Sequence, residues 1–357
     1  MTSVDKLGNY IEKLNRPNSN LQYGVDDVCG ITNTKKLVLG TKANLIGRTF
    51  EKFTVLAPRE FIFNRRTSRN GERISLGYNT TDREWILTED YCHFRVKKDK
   101  EDVLDPDYLY LFFLDPEFDR YARFNSWGSA TEFFNWEEIV ETPVPILPIS
   151  EQRRIVHDYR IIEDRINLLQ KIDEVLETLV YRLYEKAVSQ TKDTCLISEI
   201  GAFVRGSNIT AEEMVSGPYD VISAGISPSG CHNTYNVSAP SITISGSGVN
   251  AGFVSFHFEN VWAADCSYNN DTEYPVFLFC SLKRLKKKIE TLKDGNSAQP
   301  HVYAKDINAL NIPFLPEDQL KSFEEKAGLY FNQFAVNLSE VNLLGKIKRH
   351  VISKGHI

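Results

Sequence analysis

No two of the six cysteines (Cys29, Cys92, Cys195, Cys231, Cys266, Cys280) stand in a CxxC pair. That scatter excludes the usual zinc frameworks and predicts reduced thiols in a cytoplasmic protein. Cys92-His93 and Cys231-His232 are sequence neighbours, a poor geometry for sharing a metal, so no metal site is expected. No apolar run is long enough to cross a bilayer, the first residues carry no signal-peptide core, and no membrane contact is expected. A GxxxxGK[ST] loop is missing, which excludes a P-loop ATP site. Positive charge is short as well: 42 Lys and Arg against 48 Asp and Glu leave a net charge of −6. Wholesale electrostatic binding of nucleic acid is thereby disfavoured, although a locally basic face is not.

What is present is globular: 42% hydrophobic residues with 11% aromatics, in 357 residues that allow two or three domains. Residues 149–190 contain neither Gly nor Pro. Ile155, Tyr159, Ile162, Ile166, Leu169, Ile172, Leu176, Leu179 and Leu183 recur three or four apart, the seam of a long helix that packs along another. The double step of three through Leu169 and Ile172 reads as a small phase break. At 1.5 Å per residue such a helix runs roughly 60 Å. Its partner is 316–354, where Leu320, Phe323, Ala327, Tyr330, Phe334, Leu338, Val341 and Leu344 repeat the rhythm.

The approaches to the two helices repeat too. Pro143-Val144-Pro145-Ile146-Leu147-Pro148 precedes Ser150-Glu151-Gln152, and Asn311-Ile312-Pro313-Phe314-Leu315-Pro316 precedes Glu317-Asp318-Gln319. Ser129-Ala130 before Glu138-Ile139 answers Ser297-Ala298 before Asp306-Ile307. An internal duplication governs the fold: globular unit, long helix, globular unit, long helix, with the helices as stiff spacers.

In the first unit the pattern predicts a helix over 4–14 and strands over 25–31, 53–56, 60–64, 73–78, 84–88 and 91–96. Helices follow over 106–113 and 116–124, each opened by Asp-Pro. The second unit, 194–311, predicts strands over 241–245, 252–257 and 260–264 and helices over 275–288 and 304–309. Strands crowd together without intervening helices, so both units read as mixed α/β with antiparallel character, an α+β chain overall.

Three enzyme-like motifs are weak. Asn311-Ile312-Pro313-Phe314 resembles the catalytic loop of amino-methyltransferases, but the matching Pro143-Val144-Pro145-Ile146 has neither Asn nor aromatic, so a strand-to-helix connector is expected. Asp105-Pro106-Asp107-Tyr108 has Asp where that motif wants Pro. Gly246-Ser247-Gly248-Val249-Asn250-Ala251-Gly252 leads into a second strand, whereas phosphate cradles open a helix. A hairpin turn is expected there. His157 and His350 fall on polar helix faces, and no nucleophile-base pair stands out.

The basic runs say more. Residues 59–73 carry five arginines against two glutamates, with Arg65, Arg66 and Arg69 in a polar loop between strands. Loop arginines can grip phosphates or fork onto guanine. Residues 283–288 form a denser run suited to phosphate contact.

These features together resemble the specificity (S) subunits of type I restriction-modification systems. The resemblance rests on the duplicated Pro145-Ile146-Leu147-Pro148 to Gln152 and Pro313 to Gln319 approaches, on Asp115-Pro116-Glu117-Phe118-Asp119-Arg120-Tyr121, on Ser126-Trp127-Gly128-Ser129, and on Trp136-Glu137-Glu138. Gly8-Asn9-Tyr10-Ile11 and residues 64–77 also match, while the loops of the second unit match little. The resemblance implies two target recognition domains, 1–148 and 191–315, separated by long antiparallel, coiled-coil-like helices over 149–190 and 316–357 with pseudo-twofold symmetry. Each domain would read half of a split site in double-stranded DNA. The helices would dock two methyltransferase (M) subunits, and restriction (R) subunits would join. S-adenosylmethionine would then bind in M, and ATP with Mg in R, leaving this chain without cofactor, metal or catalytic residue. A stand-alone adenine-specific DNA methyltransferase is the alternative. DNA contact is expected from Arg65, Arg66, Arg69 and Arg73 in the first domain. In the second it is expected from Ser247, Asn250, Gln299 and His301, with Lys286, Lys287 and Lys288 on phosphates.

Overall fold

A computed structural model describes residues 3–40, 45, 47–67, 73–128, 132–293 and 300–354. The chain divides into two units, Met1–Asn167 with Val341–Ile357, and Leu168–Glu340. In the first, β1 (Ser3–Lys6), β2 (Ile11–Lys13), β3 (Cys29–Ile31), β4 (Leu37–Leu39), β5 (Thr54–Leu56) and β6 (Phe61–Phe63) come in order. Next are β7 (Leu76–Tyr78), β8 (Trp85–Leu87), β9 (Cys92–Val96), α1 (Pro106–Leu114), α2 (Pro116–Phe124), α3 (Trp136–Val140) and β10 (Pro143–Ile146). Helix α4 (Ile149–Val188) follows.

The helix expected over 4–14 does not form. Ser3–Lys6 is instead drawn into antiparallel pairing with Pro143–Ile146, a partner that local spacing does not reveal. Both Asp-Pro helices form as expected: Asp105 and Asp115 each accept from the backbone N–H two residues on, at 2.8 Å, and Pro takes the first turn. Strand β6 shows how the layers are made. Phe61 and Phe63 enter a large aromatic core with Phe94, Phe113 and Phe134, while Ile62 faces a smaller cluster with Leu56, Trp85 and Leu87.

The second unit carries β11 (Thr194–Leu196), α5 (Ile197–Ile200), β12 (Val204–Arg205), β13 (Tyr219–Ile222), β14 (Gly230–His232), β15 (Ser241–Ser245) and β16 (Val254–His257). After β17 (Trp262–Ala263) and β18 (Cys266–Asn269) come α6 (Pro275–Arg284), α7 (Lys286–Thr291), α8 (Ala304–Asn308), β19 (Asn311–Pro313) and α9 (Glu317–Ser353). The single helix expected over 275–288 is broken at Leu285, and the new direction buries Ile289.

The duplication is visible in the topology. One four-stranded antiparallel sheet has the order β2-β9-β6-β7, and the other β12-β18-β15-β16. β1 pairs with β10 as β11 pairs with β19. Trp136 and Ala304, Pro143 and Asn311, and Ile149 and Glu317 begin matching elements at a constant offset of 168.

At that offset Gln152 answers Leu320, not Gln319: Gln152 and Leu320 are buried and Gln319 is exposed. Within the first unit the start of α4 (Ile155, Val156, Tyr159, Ile162) packs on the end of α9 (Val351, Ile352). Within the second, Val180, Tyr184 and Val188 pack on Leu320, Phe323 and Ala327. In both units the helices therefore run antiparallel. Their seams contain no phase break: the position after Leu169 is Asp173, with Ile172 and Leu338 exposed and Asn337 buried in the seam. Asn337 donates to Asp173 at 2.6 Å, so a polar pair fills a site that an apolar reading assigns to its neighbours.

Candidate nucleic-acid interface

Corresponding loops leave the two sheets at the same corner. In the first unit the chain after β6 is braced by the segment preceding α3: Phe134 N–H donates to Arg65 O at 2.8 Å and Thr67 N–H to Glu132 O at 3.0 Å. In the second, Val302 N–H donates to Gly246 O and Gly248 N–H to Pro300 O, both at 3.0 Å. Arg66 bridges Phe133 as Ser247 bridges His301. Arg65 and Arg66 thus occupy the places of Gly246 and Ser247. Candidates chosen for guanidinium chemistry in one copy and for small polar side chains in the other belong to one structural loop.

The second-unit loop is the expected hairpin, with β15 and β16 antiparallel and Gly248 and Gly252 at positive φ (76° and 82°). Val249 at its tip is 89% exposed and Asn250 beside it is also exposed. Ser247 Oγ donates to Asp265 Oδ2 at 2.5 Å, and the His301 ring stacks on Tyr303. Lys293 Nζ reaches Val249 O at 3.4 Å, which ties the end of the α7 segment to the same turn. Lys286, Lys287 and Lys288 are exposed on α7 and make no ion pair among the described residues. By contrast, Lys283 and Arg284 turn back to Glu177 and Glu185 of α4.

In the first unit Arg65, Arg66 and Arg73 are exposed. Arg65 opens onto a cleft of about 600 Å³ with Lys13, Lys52 and Asp90. Arg73 lines a different, smaller cleft beside Lys35 and Asp119. There Lys35 Nζ donates to Asp119 at 2.6 Å, and burial holds the Lys35 ammonium below its usual range despite that partner. Arg59 is taken up by Glu101, Asp105 and Asp107. Arg69 and Gln299 lie outside the described residues, as do Ser129-Ala130 and Ser297-Ala298. Sequence reasoning passed over Trp127, which is 70% exposed and bridged to Phe133 in the bracing segment; an aromatic beside a basic loop is the signal that marks it as a candidate.

Cys29, Cys92, Cys195, Cys266 and Cys280 are buried, and burial pushes the Cys29 and Cys266 thiols up to about 12 and Cys92 to about 11. His257 is pushed down to about 4 by burial. Asn311-Ile312-Pro313 is strand β19, paired with β11, as a connector should be. Among the described residues no His, Cys, Asp and Glu cluster could hold a metal, and no helix is long and apolar enough to cross a membrane.

No family model matches the chain, and no curated protein matches it by sequence. Solved structures do. The HsdS subunit from Thermoanaerobacter tengcongensis aligns over 99% of this chain and 96% of its own, at 14% identity and TM-score 0.36. A chain from a study of complex assembly and conformational transition in the type I R-M system aligns over 99% and 97%, at 13% and 0.42. The S subunit of a type I restriction-modification system from M. genitalium aligns over 99% of this chain and 96% of that one, at 14% identity and TM-score 0.62. The chain has the fold of that S subunit.

Proposed function

We propose that this protein is the non-catalytic specificity subunit of a type I restriction-modification complex and reads a split DNA site with one loop cluster in each unit. The observation that carries this reading is the pair of equivalent braced loops, one ending in exposed arginines and the other in small polar groups and an exposed valine. Arginines fork onto guanine, Ser, Asn and His reach other base edges, and an apolar tip such as Val249 suits a thymine methyl. Lys286, Lys287 and Lys288 are assigned to phosphates, which fix register without carrying sequence. The modest net charge fits a reader whose partners supply many phosphate contacts.

Two methyltransferase subunits are assigned to the long helices. Outside the seam α4 exposes Ile161, Leu168, Val175 and Leu179, and α9 exposes Leu329, Val336, Leu343 and Ile347 at the same offset of 168. Two copies of one apolar stripe suit two copies of one partner. S-adenosylmethionine belongs to those partners, ATP and Mg to the restriction subunits, and the assembly to the cytoplasm.

Methylation mapping of the source cell's DNA tests the reading. A split motif with adenine modified in both halves, lost on Arg65→Ala with Arg66→Ala, is expected. Val175→Asp with Leu343→Asp in the folded chain should abolish methylation by releasing the methyltransferase. A continuous motif, or methylation by this chain alone, would overturn the proposal.

A further inference from the structure

We infer that Arg205 reads a guanine in the half-site of the second unit and that Asp265 positions it. The inference rests on the DNA-reading role proposed above and adds a residue and a base to it. Arg205 ends β12, one strand from the β15–β16 loop, and its Nη2 donates to Asp265 Oδ1 at 2.9 Å. The other oxygen of that carboxylate accepts from Ser247 Oγ at 2.5 Å. Asp265 therefore joins the strand-end arginine to the loop. With both oxygens engaged, it is poorly placed to accept from a cytosine amine.

The guanidinium differs. It is 55% exposed against 32% for Asp265, and its remaining N–H donors have no partner among the described residues. A planar fork tethered on one side and open on the other is preorganised for the O6 and N7 acceptors of guanine.

The backbone beneath it is fixed. Gly206 N–H donates to Cys266 O at 2.8 Å and Ser207 N–H to Ala263 O at 2.9 Å. A Cβ on Gly206 would lie 2.5 Å from the carbonyl oxygens of Ala263 and Ala264, so only glycine lets the chain approach so closely. Trp262 Nε1 donates to Ser207 O at 2.9 Å and completes the clamp. The first unit shares only the acid: Asp90, two residues before β9, lines one cleft with Arg65, and that arginine comes from the loop after β6, not from the end of β2.

Selection of the full chain in complex with its methyltransferase partner on randomised duplex DNA tests this. Wild type should enrich a motif containing a guanine that Arg205→Ala leaves degenerate while other positions persist, a loss on the order of ten- to a hundred-fold in preference for that base. Arg205→Lys keeps charge and fold without the fork and should flatten the same position, which covers the case of an unfolded alanine variant. Asp265→Asn should weaken the preference there without moving the other positions. An unchanged motif in Arg205→Ala or Arg205→Lys overturns the assignment while the DNA-reading role stands. A general loss of affinity in Asp265→Asn with the guanine preference intact overturns the positioning role. If wild type enriches no motif, the DNA-reading role itself fails.

Discussion

Gln152 offers a sharp test of the frame. Its side chain is fully buried at the start of α4; Nε2 donates to Val103 O at 2.7 Å and to Leu147 O at 2.8 Å, and Oε1 accepts from Asp105 N–H at 2.9 Å. One amide therefore stitches the helix to its own approach and to the start of α1. Gln152→Leu keeps the volume and places in the first copy the residue that the second copy carries at Leu320. If packing alone mattered, leucine would serve. The polar accounting predicts otherwise. Leu147 O and the Asp105 N–H lose their partners in buried surroundings, at about 1–3 kcal/mol each, while Val103, 40% exposed, can turn to water. The expected loss is about 2–6 kcal/mol, a large share of the roughly 5–15 kcal/mol that holds a domain folded. Gln152→Ala should lose more, since a cavity is added.

Amide hydrogen exchange on the full chain reads this unit by unit. Peptides over 103–114 and 143–152 should lose protection in Gln152→Leu, and peptides over 310–323 should serve as the unchanged internal reference. A Gln152→Leu variant as protected as wild type over 103–114 would refute the reasoning, and side-chain volume would then be all that the position requires.

Other outcomes follow from the same physics. Burial raises Glu324 from 4.5 to about 7, although its carboxylate accepts from the amides of Val276 and Phe277 at the start of α6. The folded state then holds a proton that the unfolded state releases, so stability should fall between about pH 4.5 and 7, by at most about 3 kcal/mol; Glu324→Gln should flatten that slope in denaturant titrations of the second unit. Asn337→Leu should cost about 1–3 kcal/mol by orphaning Asp173, whereas the double variant with Asp173→Leu should recover the loss or exceed wild type, as a two-by-two denaturation cycle would reveal. Replacing Lys286, Lys287 and Lys288 together by Ala should lower the slope of log affinity against log salt by up to about 3 and leave the selected motif unchanged.

Much of the frame was legible because it is written in local chemistry. Asp-Pro capping marked α1 and α2, and aromatic and β-branched runs marked β5 to β9. The three-and-four rhythm marked the long helices. What failed did so for identifiable reasons. The strand at Ser3–Lys6 depends on a partner at Pro143–Ile146, and no window of local sequence contains both. The seam went astray at Ile172 and Leu338 because apolar residues were followed where strict alternation of three and four lands on Asp173 and Asn337. Among the residues proposed for DNA contact, Arg65, Ser247 and Asn250 are suggested by the composition of their loops. Nothing local suggests Arg205, the residue proposed above, since it stands alone in sequence and meets Asp265 only through the pairing of β12 with β18.

On the proposed function, the equivalent loops also explain how one frame could carry two different readers. The equivalent bonds that brace each loop are backbone to backbone: Phe134 to Arg65 and Thr67 to Glu132 in one copy, Val302 to Gly246 and Gly248 to Pro300 in the other. Such bonds use groups that every residue except proline possesses and are indifferent to the side chains above them. Arg66 over Phe133 can therefore become Ser247 over His301 without moving the chain. The buried residues that anchor the brace, Phe134 and Val302, keep their apolar character, because their side chains belong to the cores. Placement is thus carried by the main chain and the core, and the proposed readout by exposed side chains that carry little of the fold's stability. A recognition loop built this way can change its target by substitution at the surface, and the price in stability stays small.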